Sequence, residues 1–185
     1  MSTRGDVTQA RLLAAGLDLL GEGGWPSFTA RAVADRSGIN AGLIHYHFGG
    51  MRGLQDAVLA AAMDAIVGDL HVSVAQAGDA GDMVEAVRAG LVSGRDSART
   101  ARLSAALLEG AARDPEIRAA LRQALRSARR ELRARLVEMM ASWTPDRAAA
   151  FTTLLMAVSD GLLLHQAVDA DLEVEEALDL LRQLV

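Results

Sequence analysis

Thr29–Phe48 reads TARAVADRSGINAGLIHYHF, and its punctuation decides the fold. Thr29 offers a hydroxyl to the free N–H groups of a first helical turn. Ala32, Val33 and Arg36 follow at helical spacing. Ser37-Gly38-Ile39 then interrupts, and Gly38 is the residue there that takes a left-handed backbone at no steric cost. Asn40 stands ready to cap a second helix, in which Leu43 and Ile44 are apolar and His47 lies one turn beyond. Two short helices across a three-residue turn with a central Gly describe a helix-turn-helix. The second helix of such a unit enters the DNA major groove, so the stretch predicts a DNA-binding regulator.

Working outward, Val7, Ala10, Leu13/Ala14, Leu17 and Leu20 form an apolar stripe predicting a helix from Asp6 to about Glu22, closed by Gly23-Gly24. Trp25 and Phe28 sit where the following loop would plug the joint between this helix and the pair after it. The pair is predicted over 30–37 and 41–47. Gly49-Gly50 turns the chain into a long helix from Met51 to about Val74, and Gly78–Asp82 forms a loop. A fifth helix is predicted over 83–91 and a sixth after Asp96-Ser97. The sixth buries either Ala101, Ala105, Leu108 and Ala112 or, offset, Leu103 and Leu107. Asp114-Pro115-Glu116 and Thr144-Pro145-Asp146 are helix starts, with a capping side chain, Pro at the first position and an acid at the positive dipole end. Asp171 is read as the cap of a last helix carrying Val174, Ala177/Leu178, Leu181 and Val185. No strand pattern or internal repeat appears. The fold class is all-α with about nine helices.

Composition narrows the function. The 185 residues suit one compact unit or two small subdomains, and 51% hydrophobic content argues against disorder. The absence of Cys removes disulfides, thiolate metal sites and cysteine nucleophiles together. All 19 basic residues are Arg, which is read as coding bias because it reaches every segment. The start, Met-Ser-Thr-Arg-Gly-Asp, has no apolar signal run. Asp64 and Asp160 interrupt the most apolar helices short of the ~20 residues a span needs. A cytoplasmic protein without membrane contact is expected. The net charge of −5 divides unevenly: residues 1–53 hold five Arg against four acids, the remainder fourteen against twenty. The positive end is the reading head, though its basic footprint is thin.

The first third of the chain closely resembles the TetR family of repressors. The resemblance is carried by Leu12 to Leu20, Gly23-Gly24, Phe28-Thr29, Ala32-Val33-Ala34, Ser37-Gly38-Ile39, Gly42, Ile44, Tyr46-His47-Phe48-Gly49 and Leu54. Asp160-Gly-Leu-Leu-Leu-His, with residues 172–184 after it, also looks like the C-terminal region of BetI-like members. The resemblance implies a helix-turn-helix domain over residues 1–50 and an effector-binding, dimerising domain over 51–185. It implies a DNA-facing set of Thr29, Arg31, Asn40, Ala41, Gly42, Leu43, His45, Tyr46, His47 and Arg52. Arg31 would reach a base edge, where an Arg fork on guanine is the commonest specific contact; otherwise it is a solvated surface Arg. Leu43 and Ala41 suit thymine methyls, Gly42 allows close backbone approach, and Ile44 and Phe48 face the core. Two positions depart from the family pattern. His45 stands where a Tyr is usual and Met51 where a Lys is usual, both at phosphate contacts; Arg52 is the neighbour that compensates.

Other clusters have blander readings. His45 and His47 are two apart on a helix and point in different directions, which excludes chelation by the pair, and no metal or other cofactor is expected. His71 and His165 are read as satisfied core or interface residues. Arg118, Arg122, Arg126, Arg129/Arg130 and Arg133 repeat near every fourth position. They form either a second nucleic-acid face, a membrane-surface stripe or, as preferred here, a wet face paired with Glu173, Glu175, Glu176 and Asp179. Met63, Val67, Leu103, Leu107, Leu125, Leu132, Leu155 and Ser159 either line an effector pocket for a small, largely apolar compound or fill a core. Leu162, His165, Leu178, Leu181 and Val185 are the candidate homodimer interface, which would set two heads one DNA turn apart, or a multiple of it, on a palindromic double-stranded operator. The leading expectation is a ligand-responsive regulator, most simply a repressor. The alternative is an all-helical small-molecule sensor with weakened or lost DNA binding. No nucleophile elbow, phosphate loop or zinc-ligand spacing supports an enzyme.

Overall fold

The structure, a computed structural model, describes residues 4–92 and 95–185, with side chains described for all of these except 4, 67–75, 92, 95 and 96. Val67 and His71, named above, therefore lie outside the described side chains. Among the described residues there are nine helices and no strand. They are α1 (Arg4–Ser27), α2 (Ala30–Ser37), α3 (Gly42–Phe48), α4 (Met51–Gln76), α5 (Ala80–Val92), α6 (Arg95–Arg113), α7 (Pro115–Met139), α8 (Pro145–Gln166) and α9 (Glu175–Arg182).

The chain forms two compact units. The first takes residues 1–66 and 102–117, the second 67–101 and 118–185. In the first unit, α1 leaves helical geometry at Gly24 (φ 64°). It buries Leu12, Ala15, Leu19 and Leu20, while the helix-turn-helix adds Val33 and Ile44 and α4 adds Leu54 and Val58. The α6 segment of this unit buries Leu103, Ala106, Leu107 and Ala111, and leaves Ala105, Leu108 and Ala112 exposed. The offset alternative is the one this segment adopts, while Ala101 of the other set is also buried.

The second unit centres on Met83, Val84, Val87, Leu132, Leu136, Phe151, Leu155, Leu178 and Leu181. Trp143 packs edge-on to Phe151 at 5.3 Å, and the Arg147 guanidinium covers its outer face at 4.6 Å. Arg88 joins α5 to α9 by pairing with Glu175 and with Asp179 (2.6 Å), and Arg182 returns the contact to Glu85 at 2.7 Å.

Three expectations need correction here. The last helix begins at Glu175 behind a buried Val174 with no side-chain cap, so Asp171 lies outside it. Leu178 (0% exposed) and Leu181 (4%) are held in the core of their own unit, so neither is available as a surface residue for a second copy. Two of the acids set aside for the α7 arginines are engaged elsewhere: Glu175 and Asp179 of α9 are taken by Arg88 of α5.

The helix α8 is apolar enough and long enough to cross a membrane by length and composition, with mean hydropathy 1.4 over an 18-residue window, although Asp160 sits inside it. Only 22% of that window is buried within the chain, so much of an apolar helix is left uncovered.

Candidate nucleic-acid interface

The head is held together by a few directed contacts. Thr29 is extended (φ −119°, ψ 155°) and its hydroxyl accepts from the Ala32 N–H at 3.2 Å, which starts α2. Gly38 ends α2 in the left-handed region (φ 66°, ψ 25°), its N–H returned to the Ala34 carbonyl, as a C-terminal glycine cap does. Arg11 of α1 donates to the Ser37 carbonyl at 2.6 Å and satisfies another free acceptor at that end. Arg36 makes a two-pronged contact with Glu22 at 2.9 and 2.6 Å, which fixes α2 along α1. That guanidinium holds the Glu22 carboxyl below the usual carboxylate range. After the turn, the Asn40 side chain accepts from the Gly42 N–H at 2.8 Å.

This frame sets the direction of α3. Ile44 is buried at 2% exposure and Phe48 is half-buried, which anchors one side of the helix. Ala41, Gly42, Leu43, His45 and Tyr46 are exposed, Tyr46 at 80%. The Tyr46 ring stands edge-on to half-buried His47 at 5.0 Å. Thr29, Arg31 and Asn40 are exposed beside them. Arg31 pairs with Asp35 at 3.7 Å across one helical turn, a loose surface pair that leaves the guanidinium free to swing.

Arg52 is the member of the set that the structure places in a different setting. In the first turn of α4 it pairs with Asp56 at 3.3 Å, with Asp114 at 3.2 Å and with Glu116. Asp114 also accepts from the N–H groups of Glu116 (2.8 Å) and Ile117 (3.4 Å), so one carboxylate caps α7 and holds α4. Those backbone donors, with Arg52 adding to them, hold Asp114 below the usual aspartate range. Met51, beside Arg52, supplies no charge. The Arg52–Asp114 pairing is not legible in the sequence because the two residues lie 62 positions apart.

The predicted pocket residues fall in both units. Met63 (half-buried), Leu103 and Leu107 belong to the first. Half-buried Leu125, buried Leu132 and Leu155, and Ser159 belong to the second. The Ser159 hydroxyl and the Gln166 side-chain oxygen, on the inner side of α8, are buried with no hydrogen-bond partner among the described residues. A separate open cleft of about 310 Å³ lies within the first unit, between Trp25, Phe28, Gln55, Glu109 and Ile117, and includes none of the predicted pocket residues. Of the predicted interface, Leu162 is half-buried and His165 and Val185 are exposed.

A rigid helix pair presenting the outer side of its second helix defines the class: a helix-turn-helix, all-helical DNA-binding protein. Residues 12–58 match the family model of bacterial regulatory proteins of the tetR family, and residues 80–185 match that of the C-terminal domain of BetI-type transcriptional repressors. The chain belongs to the TetR family of transcriptional regulators. Among solved structures, a transcriptional regulator from Rhodococcus sp. Rha1 is 28% identical, with 99% of this chain and 96% of that one covered and a TM-score of 0.78. A TetR-family regulator from Cytophaga hutchinsonii shares the fold at 13% identity and TM-score 0.81, covering 100% of this chain and 96% of its own. The multidrug binding protein EbrR, complexed with malachite green, shares it at 22% identity and TM-score 0.71, with 96% and 97% covered. No curated protein matches. The family is one of DNA-binding regulators, not enzymes.

Proposed function

We propose that this chain is a ligand-responsive repressor that binds a palindromic operator as a homodimer in the cytoplasm and is released by a small, largely apolar effector. Residues 1–50 act as the reading domain and 51–185 as the effector-binding and dimerising domain. The observation that carries the reading is the open outer side of α3, with Ile44 anchored behind it. Arg31 and Tyr46 supply hydrogen bonds there, Leu43 and Ala41 apolar contact to thymine methyls, and Thr29, Asn40, His45 and His47 further polar contacts. The multidrug binding protein EbrR, complexed with malachite green, supports a small-molecule effector, and the buried Ser159 hydroxyl, without a partner among the described residues, is a polar handle for it.

Pairing is assigned to the uncovered side of α8 with the exposed leucines of α9. Leu154 and Val168 are exposed on or just beyond α8, and Leu180 (63% exposed) and Leu184 (51%) on or just beyond α9. Of the residues expected there from sequence, His165 and Val185 are exposed, while half-buried Leu162 packs against the core of its own unit. Exposed large apolar residues of this kind, if they join into one patch, mark an association site, and two-fold pairing presents the same patch from both copies.

The test is selection from random duplexes by the purified protein, followed by binding of the selected sequence. A palindrome is expected, and Arg31→Ala is expected to lose about 1–3 kcal/mol of discrimination at one base pair of each half-site. Unchanged selectivity would retire Arg31 as a base reader. Capture of Arg52 by three carboxylates favours a second reading, a sensor whose head binds DNA weakly. Absence of saturable binding to any duplex at low salt would favour that alternative.

A further inference from the structure

Helix α7 carries a concentration of charge that the functions above do not use. Seven of the chain's arginines lie within Pro115–Met139 against three acids, in a protein whose net charge is −5. Coding bias explains why these residues are Arg rather than Lys; it does not explain their arrangement. At about 100° per residue, Arg122, Arg126, Arg129, Arg130 and Arg133 fall within an arc of about 100° and along about 16 Å of helix. All five are exposed, and none reaches a carboxylate within ion-pair distance among the described residues. From a neighbouring element, Asp160 of α8 feels the charge of Arg129 without forming an ion pair with it. Like charges three and four residues apart repel and weaken a helix, and among the described residues no ion pair to these five offsets that repulsion. The acids that α9 carries toward this unit's core face are engaged by Arg88.

We propose that this face of α7 is a second, sequence-independent binding surface for duplex DNA, separate from the helix-turn-helix. A duplex carries one negative charge per about 1.7 Å of its axis, so a stripe of this length meets enough phosphate to neutralise every guanidinium on it. An anionic membrane is the poorer fit. A surface-seeking helix turns a broad apolar face to the lipid, whereas the apolar side of α7 is closed into the core through Leu121, Leu132 and Leu136. Between and beside the arginines stand Ala119, Gln123 and Ala134, with Val137 the exposed large apolar residue at the far end. The surface would hold duplex DNA and raise affinity without adding sequence information. The choice of DNA rests on the operator-binding reading above.

The experiment compares three full-length proteins on a random-sequence duplex over a salt series: the parent, a stripe variant (Arg122→Gln/Arg126→Gln/Arg130→Gln) and a head variant (Arg31→Ala/Tyr46→Ala). All three substituted arginines are solvent-facing, and circular dichroism confirms the fold. Each phosphate contact contributes about 0.9 to the slope of log K against log salt, so the stripe variant is expected to lose about 2–3 from that slope. It is also expected to retain sequence discrimination, while the head variant retains salt-dependent binding to the random duplex. An unchanged slope in the stripe variant overturns the proposal. So does tighter binding of the parent to phosphatidylserine vesicles than to duplex at equal salt, or a change of oligomeric mass in the stripe variant, which would make the surface an interface between copies. Random-duplex binding lost with the stripe, in a protein from which no operator can be selected, would remove the repressor reading and leave this one standing.

Discussion

At Gly110 a hydrogen stands where any other residue would place a carbon against the indole of Trp25. That indole donates to the Ala106 carbonyl at 2.8 Å and lies edge-on to Phe28 at 5.8 Å, so it is fixed from two sides and has little room to retreat. Trp25 therefore plugs α1 to α6, not the joint between α1 and the helix-turn-helix, and the glycine that receives it lies 85 residues further on. Forcing a methyl into such a contact costs about 1–3 kcal/mol. Gly110→Ala is expected to lower the melting temperature and change the tryptophan emission; an unaltered melt would show that the indole has a second resting place. Nothing in the sequence marks Gly110 as a receiving site. Gly38 is different, because its role is fixed by immediate neighbours: a helix ends there and the chain must turn left-handed. Residues whose work is local were readable, and those whose partner is distant were not.

The same division runs through the helices. Caps are local, and Thr29, Asp114 and Thr144 each accept the N–H groups expected of them. The start of α9 is not so determined. Asp171 has the chemistry of a cap, yet burial of Val174, Leu178 and Leu181 sets the helix a few residues later. In α6, two apolar sets share one helix, and only packing against α1, where Leu103 lies over Gly21, decides which turns inward. Asp114 shows what an element terminus adds once the fold brings a distant residue to it. Its carboxyl is held below the usual aspartate range by the N–H groups of Glu116 and Ile117 and by Arg52. A folded-state value below the unfolded one gives stability that is present above the unfolded pKa and lost as pH falls through the folded one. Asp114→Ala is therefore expected to melt below the parent at neutral pH, with the gap closing as the solution is acidified beneath the ordinary aspartate range. A gap independent of pH would mean that the side chain acts through packing instead of charge.

For the whole molecule, the decisive question is which leucines face inward and which face a second copy. The C-terminal segment offers two interleaved apolar sets on different sides of a helix, Leu178 with Leu181 and Leu180 with Leu184. Sequence periodicity permits either to be the core. The structure seats the first set inside the second unit and leaves the second exposed. The two sets therefore separate folding from assembly. Leu181→Asp removes a packed leucine, a loss that costs ~2–5 kcal/mol even as alanine, and adds a buried unpaired charge; it is expected to unfold the second unit. Leu180→Asp/Leu184→Asp places charge where water already reaches, so the fold should persist while the proposed pairing fails. Light scattering should then report a single-chain mass with an unchanged helical spectrum. Because a palindrome is gripped by two heads that must bind together, operator affinity should fall even though α3 is untouched. A dimer that survives both aspartates would move the seam off α9 and onto the outer side of α8 alone, where Leu154→Glu becomes the deciding substitution.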